Sequence, residues 1–241
     1  MSLPDRIAQW LRQYLEGAGA AGFVFGLSGG VDSATVAALA VRAVGTDRVL
    51  AALMPCHSQP DDLRLAHRVA ETFGIPTVTV DLTPVYDALV AALPPTENAL
   101  APANIKPRLR MTTLYYLAQS HNYLVLGSGN KSEISVGYYT KYGDGGADLL
   151  PLGGLYKTQV WQLARELGVP QEVVDRPPTA GLWPGQTDEG EMGITYRELD
   201  RILAAMEAGD ISGLDPAAVE RVRGMMARSE HKRRMPPIFE P

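Results

Sequence analysis

The stretch Phe23-Val24-Phe25-Gly26-Leu27-Ser28-Gly29-Gly30-Val31-Asp32-Ser33 decides the fold class of this 241-residue chain. Its apolar start predicts a buried β-strand, and the alanine-rich residues 34–44 that follow it predict a helix. Glycine lacks a Cβ, so Gly29 and Gly30 permit a sharp turn and let an anion approach the backbone closely. Because backbone amides and the helix dipole favour negative charge at such a turn, the loop is predicted to bind phosphate.

Asp32 distinguishes this loop from the common Walker A loop, in which a lysine follows the glycines. A bare carboxylate would repel phosphates unless a divalent cation lay between them. Mg²⁺ suits this arrangement, since it takes one or two carboxylates and fills its remaining positions with phosphate oxygens and water. Helix capping is the alternative role for Asp32. It explains one residue but not the glycines and serines around it, so the sequence favours a metal-bridged nucleotide.

Strand-like and helix-like segments alternate along the chain. After the first loop, residues 49–54, 77–80 and 123–126 predict further strands, and helical segments separate them. This alternation predicts an α/β fold: a Rossmann-like three-layer sandwich in which helices flank a central parallel sheet. Nucleotides bind such sheets beyond the carboxyl ends of the strands, where the glycine loop would lie.

Two later loops carry candidate site residues. Gly127-Ser128-Gly129-Asn130 follows a predicted strand and precedes a helix with Glu133, which repeats the plan of the first loop. Two such loops at neighbouring strand ends are expected to hold one nucleotide. Residues 141–148 combine glycines with a lysine and two aspartates, which suits a polar ligand or acid–base chemistry better than a plain surface turn.

Three segments are less decisive. Residues 104–110 place three cations before a predicted helix, and residues 231–234 are basic; each is either solvated surface or a site for an anionic ligand. Residues 94–102 are predicted to be a linker. The irregular residues 178–186 are predicted to form a mobile lid that excludes water from the site.

Composition limits the classes of function. The net charge of −5 argues against general nucleic-acid binding. The single cysteine, Cys56, excludes an intramolecular disulfide and argues against a cysteine-based metal site. No run of about 18 apolar residues predicts a membrane span, and the N-terminus lacks the form of a signal peptide. We therefore expect a single cytoplasmic domain over residues 1–241, with a mobile loop at about 178–190 and a basic C-terminal segment at 230–241.

The motif Ser-Gly-Gly-x-Asp-Ser at residues 28–33 resembles the loop of the ATP pyrophosphatases, which cleave ATP between the α- and β-phosphates and adenylate a substrate. The order of the later motifs narrows the resemblance to the ammonia-dependent NAD synthetases, over roughly residues 4–238. The strings that carry it are Asn104-Ile105-Lys106-Pro107-Arg108, Gly127-Ser128-Gly129-Asn130-Lys131-Ser132-Glu133, Thr140-Lys141-Tyr142-Gly143-Asp144-Gly145-Gly146-Ala147-Asp148, Pro178-Thr179-Ala180 and Glu230-His231-Lys232-Arg233-Arg234. The fold implied is that of the adenine nucleotide alpha hydrolase-like proteins.

The resemblance implies that deamido-NAD, ATP and ammonia give NAD, AMP and pyrophosphate through an acyl-adenylate, as the last step of NAD biosynthesis. The residues it implies for ATP are Gly26, Leu27, Ser28, Gly29, Gly30, Val31, Asp32, Ser33, Ser128, Lys157 and Thr179. Those implied for deamido-NAD are Arg108, Lys141, Asp148, His231 and Lys232. The implied Mg²⁺ ligands are Asp32 and Glu133.

Further expectations follow from the same resemblance. Lys157 would stabilise charge on the leaving pyrophosphate, and either Asp148 or Asp144 would accept the proton that ammonium must lose. The enzyme would be a homodimer with substrate bound across the interface, and it would have no nucleic-acid or membrane partner. Two positions depart from the family pattern: Gly181 stands where an acidic residue is usual, and Pro107 replaces a small residue.

Two other functions compete with this interpretation. Another adenylating amidotransferase, or a thiolase acting on tRNA, would be expected to carry catalytic cysteine pairs or a basic RNA-binding domain. A nucleotide-binding module without catalysis, as in electron-transfer flavoproteins, would leave Glu133, Lys157 and residues 141–148 unexplained. Glutamine-dependent NAD synthetases carry an additional amidohydrolase domain. Because this sequence begins at the synthetase helix, free ammonia is the expected nitrogen source unless a separate subunit delivers it.

Overall fold

The computed structural model of the chain describes residues 1–183 and 185–240, and a parallel sheet lies at its centre. The strands of this sheet are β1 (Gly22–Gly26), β2 (Val49–Leu53), β3 (Thr77–Thr79) and β4 (Tyr123–Leu126). Their order is β3–β2–β1–β4, and Phe25 of β1 pairs with Ala51 of β2 and Leu126 of β4. The loop after β1 therefore lies between the loops that follow its two neighbours.

Helices cover both faces of the sheet, so the predicted α/β sandwich is confirmed. In chain order the helices of the described residues are α1 (Leu3–Gly17), α2 (Val31–Val44), α3 (Pro60–Phe73), α4 (Thr83–Ala92), α5 (Leu100–Ala103), α6 (Ile105–His121), α7 (Lys131–Val136), α8 (Lys157–Glu166), α9 (Gln171–Val174), α10 (Asp188–Met192), α11 (Tyr196–Ala208) and α12 (Pro216–Arg228). Short 3₁₀ turns lie at Thr46–Arg48 and Glu230–Lys232.

Alternation along β1 divides the core into two layers. Phe23 and Phe25 face a cluster that includes the alanine-rich side of α2, whereas Val24 faces a second cluster with Leu117 and Val125. Successive strand residues point to opposite faces, which is why one strand serves both layers. A third cluster, centred on Tyr196, packs α7, α11 and α12 together beside the sheet. These cores hold the loops at the carboxyl ends of the strands in place.

Several predicted boundaries were wrong. The linker predicted at 94–102 runs into a short helix, α5, and the basic residues 104–110 lie mostly in α6, which begins at Ile105. Pro107 is tolerated there because the first amides of a helix have no intrahelical partner.

The expected mobile loop at 178–190 extends into α10, whose first residue is Asp188. Pro184 of that loop and Pro241 of the basic C-terminal segment lie outside the described residues. No helix in the described parts of the chain has the length and apolar character needed to cross a membrane.

Candidate active site

A cleft of about 420 Å³ opens at the carboxyl ends of β1, β2 and β4. This volume lies within the range of small-molecule sites. Gly26, Ala52 and Leu126 line it at the strand ends. The glycine loop, the start of α7, the loop at 137–146 and the loop before α10 complete its walls.

The glycine loop after β1 has a shape that requires glycine. Gly29 has a φ of +79°, and a Cβ there would lie 2.6 Å from the carbonyl oxygen of Asp62 on α3. The amide of Ser28 donates to Ser33 Oγ at 3.2 Å, and the Ser33 hydroxyl donates to the Gly30 carbonyl at 3.0 Å. The loop is therefore fixed by its own serines, and it leads into the N-terminus of α2, where the helix dipole favours an anion.

Asn130 joins the loop after β4 to the glycine loop. Its side chain accepts from the Glu133 amide at 3.1 Å, and Glu133 Oε2 accepts from the Asn130 amide at 3.2 Å, which forms a capping box at the start of α7. The Asn130 side chain also donates to Asp32 Oδ1 at 3.0 Å. The two loops that the sequence predicted to share one ligand are thus in direct contact.

Asp32, Glu133 and Lys157 form what we call the acid–lysine cluster. Lys157 is 1% exposed, and its Nζ forms an ion pair with Asp32 Oδ2 and lies 3.5 Å from Glu133 Oε1. Burial alone would lower the pKa of Lys157, but the two carboxylates outweigh burial and raise it. Burial, and then the nearby Asp32 carboxylate, raise the pKa of Glu133 to about 8. The cluster therefore places three interacting ionisable groups on the cleft wall.

The two carboxylates fit a magnesium ion that also binds phosphate. In residues 1–183 and 185–240, no three His, Cys, Asp or Glu side chains are grouped so as to hold a metal ion. Mg²⁺ does not need such a cage, because it usually takes one or two carboxylates and completes its shell with substrate phosphates and water. Asp32 and Glu133 both line the cleft and both contact the same ammonium group, so they are close enough to act together.

Sequence reasoning missed the residues behind the acid–lysine cluster. The Lys157 amide donates to Ser132 Oγ at 2.9 Å, Ser132 donates to Asp200, and the Tyr196 hydroxyl donates to Asp188 Oδ2 at 3.0 Å. Tyr196 and Asp200 are both buried on α11, one helical turn apart. Polar residues at this spacing on an otherwise apolar helix face were the available signal.

Asp144 and Asp148, the two candidate proton acceptors, occupy different environments. Asp144 lines the cleft, where it is exposed to solvent, and accepts from the Thr140 amide at 2.9 Å. Partial desolvation by the surrounding protein raises the pKa of Asp144. Asp148 accepts from the Val125 amide at 2.8 Å and from the Tyr115 hydroxyl at 3.1 Å. It is absent from the described lining of the cleft. Asp144 is therefore the better situated of the two to meet a reacting group inside the cleft.

Three residues expected to contact deamido-NAD form what we call the rim: Arg108, Lys141 and His231. Arg108 donates to the Lys141 carbonyl at 3.4 Å, and Lys141 Nζ donates to the His231 carbonyl at 2.7 Å. None of the three is among the described residues that line the cleft, whereas Lys232 is. Lys232 Nζ donates to the carbonyls of Gly137 and Tyr139 at 2.7 and 2.6 Å.

The loop predicted to be a lid borders the cleft through Thr179 and Gly181. Lys106, which is buried, donates to the Leu182 carbonyl at 2.8 Å, and the Leu182 amide donates to Gln186 Oε1 at 2.8 Å. Gly181 has a φ of +62°, so the acidic side chain usual in relatives would be strained in this backbone. The loop is thus tied to α6 across the mouth of the cleft.

Comparisons with known proteins agree with the resemblance found in the sequence. The NAD synthase family model matches residues 3–236. The NH(3)-dependent NAD(+) synthetase of Carboxydothermus hydrogenoformans is 47% identical over 238 residues, which cover 97% of this chain and 95% of that protein. The enzyme of the same name from Archaeoglobus fulgidus is 49% identical, with coverage of 97% and 94%. A solved NMN synthetase from Francisella tularensis has a TM-score of 0.91 at 38% identity, with coverage of 98% and 97%.

Proposed function

Because this chain belongs to the NAD synthase family, we propose that it is an ammonia-dependent ligase that makes NAD, AMP and pyrophosphate from deamido-NAD, ATP and ammonia. The observation that carries the proposal is the meeting of Asp32 and Glu133 on one ammonium group, Lys157, at the glycine loop. Two acids and a buried lysine at the phosphate position can hold a metal ion and stabilise charge on a leaving group. The arrangement suits the cleavage of ATP next to its α-phosphate.

The first step activates a carboxylate that ammonia cannot displace directly, because the leaving group would be oxide. The nicotinate carboxylate of deamido-NAD attacks the α-phosphate of ATP, the bond to the bridging oxygen breaks, and pyrophosphate leaves. The amides of the glycine loop hold the phosphates, with Ser128 and Thr179 beside them on the cleft wall. Lys157 stabilises the negative charge that grows on the departing group.

Asp32 and Glu133 are proposed to hold Mg²⁺, which would neutralise phosphate charge at this position. A bound metal ion would favour the ionised form of Glu133, whose pKa is raised by burial and then by the Asp32 carboxylate. Lys157 keeps both carboxylates facing the cleft. These three side chains therefore act as one unit rather than as separate contacts.

The second step is the attack of ammonia on the acyl-adenylate, which expels AMP. Ammonium must lose a proton before it can attack, and we propose Asp144 as the acceptor because its carboxylate lines the cleft. A raised pKa makes this carboxylate a better match for proton transfer near neutral pH. Asp148, which is exposed and held in place by its bonds to the Val125 amide and the Tyr115 hydroxyl, is proposed instead to bind deamido-NAD.

We further propose that the rim binds deamido-NAD in a homodimer. Helix α4 is largely apolar yet has no buried residue, and Tyr116 on α6 is 72% exposed. Surfaces of this kind are usually covered by a partner. Analytical ultracentrifugation at several protein concentrations tests the dimer, and a concentration-independent monomer would contradict it.

A cytoplasmic location is also proposed, because the free thiol of Cys56 suits a reducing compartment.

Pyrophosphate release from ATP tests the proposed reaction. Release is expected only when deamido-NAD and ammonia are both present, and NAD should form in equal amount. Replacing ammonia with glutamine should abolish NAD formation by the isolated chain. ATP binding without any release of pyrophosphate would indicate a nucleotide-binding module and would contradict the ligase assignment.

A second candidate product is NMN, favoured by the similarity to the Francisella tularensis NMN synthetase. The chemistry at the carboxylate would be the same, and only the rest of the acceptor would differ. Values of kcat/KM for deamido-NAD and for the corresponding acid mononucleotide, measured under identical conditions, decide between the two. A higher value for the mononucleotide would replace NAD by NMN as the principal product.

A further inference from the structure

We infer that Arg176 binds the β- and γ-phosphates of ATP and the pyrophosphate product. This inference rests on the proposed function, because it assigns a further phosphate ligand to the same cleft. Arg176 was not singled out by any motif, since it lies in the segment between α9 and the lid loop. Its position in the structure, rather than its sequence context, points to the role.

Arg176 is held on the cleft wall by a rigid anchor. It follows α9, whose Val173 and Val174 are 0% and 3% exposed within the main core. The Arg176 side chain is 21% exposed and lines the cleft, as do the residues 177–181 that follow it. The guanidinium is thus partly removed from water and faces the space between the core and the lid loop.

The partner of Arg176 puts it beside the glycine loop. Arg176 Nη2 donates to Asp62 Oδ1, in the first turn of α3. The backbone carbonyl of the same Asp62 lies 2.6 Å from the position that a Cβ of Gly29 would occupy. One residue of α3 therefore touches both the loop predicted to bind phosphate and the guanidinium of Arg176.

Arg176 can offer N–H donors to an anion in the cleft while it stays bonded to Asp62. Among the described residues Arg176 has one hydrogen-bond partner, Asp62, and a guanidinium has about five N–H donors in a planar fork. Its remaining N–H groups suit two phosphate oxygens at once, a geometry that arginine forms better than lysine.

Arg64 supplies a matched control, because it joins the same two helices away from the cleft. It donates to Asp61 on α3 at 2.7 Å and to Glu172 on α9 at 2.9 Å. Its side chain is 55% exposed and does not belong to the described lining of the cleft. If Arg176 served only to link α3 to α9, loss of Arg64 would have a comparable effect.

The experiment measures binding of inorganic pyrophosphate to the full chain by titration calorimetry, with Mg²⁺ present throughout. Arg176→Gln is expected to weaken binding by about tenfold to about a hundredfold, as for loss of a charge-assisted hydrogen bond. Arg176→Lys should recover part of the affinity, and Arg64→Gln should match the wild type. In steady-state assays, product inhibition by pyrophosphate should weaken by the same factor in Arg176→Gln.

Equal pyrophosphate affinity in folded Arg176→Gln and in the wild type would overturn the inference. An equal loss in Arg64→Gln would also overturn it, because the effect would then belong to the link between α3 and α9. Should Arg176→Gln fail to fold, Arg176→Lys decides: unchanged affinity contradicts the two-oxygen contact, and reduced affinity supports it. Failure of the proposed function looks different, since the wild type would then bind pyrophosphate but release none from ATP.

Discussion

The acid–lysine cluster and the rim are built in opposite ways. In the cluster, Asp32 and Glu133 converge on a lysine that is 1% exposed, and Asn130 fixes Asp32 from the side. In the rim, the hydrogen bonds that Lys141 and Arg108 donate within residues 1–183 and 185–240 go to backbone carbonyls of neighbouring rim residues, and Arg108 and His231 are exposed. The same chain therefore contains one region whose charges are preorganised and another whose charges remain adaptable.

The acid–lysine cluster is therefore suited to transition-state stabilisation, and the rim is suited to substrate binding. Preorganised charge in a site with little water stabilises a transition state without reorganisation at the moment of reaction. Exposed cations on long side chains contribute mainly to binding, since solvent and salt screen them. We therefore expect changes in the cluster to lower kcat and changes in the rim to raise the KM for the dinucleotide. The predictions below test this division, beginning with the largest expected effect.

Removal of one acid from the cluster should have the largest effect. Asp32→Ala or Glu133→Ala is expected to lower turnover by at least about 10²–10³-fold, the loss typical for one preorganised charge-stabilising group. Steady-state pyrophosphate release with saturating substrates measures it. Glu207→Ala is the control, because Glu207 is an exposed acid that also bonds a lysine, Lys131, at 2.7 Å. Near-normal turnover in either cluster variant would contradict its assignment.

Asp144→Asn should lower turnover by about 10²-fold, which is typical for loss of a general base. Since the base must be ionised to take a proton from ammonium, wild-type turnover at saturating ammonium should fall as pH drops through the raised pKa of Asp144. That fall should be missing from the residual activity of Asp144→Asn. Asp148→Asn serves as the comparison, and it should retain the wild-type pH profile. The opposite pattern would make Asp148 the proton acceptor.

Truncation at the rim should have a smaller and different effect. Lys141→Met or Arg108→Met is expected to raise the KM for deamido-NAD by about tenfold, because one charged contact to the substrate is lost. The KM for ATP and the kcat should stay at wild-type values. Arg223→Met is the control, since Arg223 is similarly exposed and pairs only with Glu220 at 4.0 Å among the described residues. A fall in kcat without a change in KM would place these cations with the chemistry instead.

Much of the fold could be predicted from the sequence, because its signals are local. The apolar run 123–126 coincides with β4, and the run 49–54 exceeds β2 by one residue. Turn residues flank both runs, so the ends of these two strands could be located from the sequence. The start of α6 was misjudged because a lysine in the first turn, Lys106, opposes the helix dipole and because Pro107 disfavours the helical conformation at the residue before it. Local preference there is overridden by burial, since both side chains are enclosed.

The sequence singles out those parts of the candidate site that lie in one loop and misses the parts that are distant along the chain. The glycine loop and Glu133 each sit in a short motif next to a predicted strand. Arg176 and Asp200 have no such motif, and their roles depend on partners 114 and 42 residues away. Long-range pairs of this kind leave no periodic pattern and no characteristic spacing in the sequence. They become visible only when the helices are packed.

The smallest expected effect concerns stability rather than activity. Partial desolvation in the cleft raises the pKa of Asp144 above its ordinary 3.8, so the folded state binds this proton more tightly than the unfolded state. Because Asp144 is exposed to solvent in the cleft, screening keeps the effect on stability small. The stability that this proton provides is complete below the ordinary pKa and is lost as pH rises through the raised one. The Asp144→Asn variant has no carboxyl group to ionise. The Tm of this variant should therefore rise relative to that of the wild type as pH increases from the ordinary pKa of Asp144 to the raised one.

Thermal unfolding between about pH 4 and about pH 7 measures this relative rise in Tm. Asp210→Asn is the control with the opposite sign. Hydrogen bonds from Ser212 lower the pKa of Asp210, so the stability that the ionised Asp210 provides is lost only as pH falls below the ordinary pKa of an aspartate. Above that pH, the Tm difference between Asp210→Asn and the wild type should not change. A flat difference for Asp144→Asn as well would mean that Asp144 is ionised at little cost in the folded chain. The cleft would then resemble the rim, and the contrast between a preorganised interior and an adaptable edge would be limited to the acid–lysine cluster.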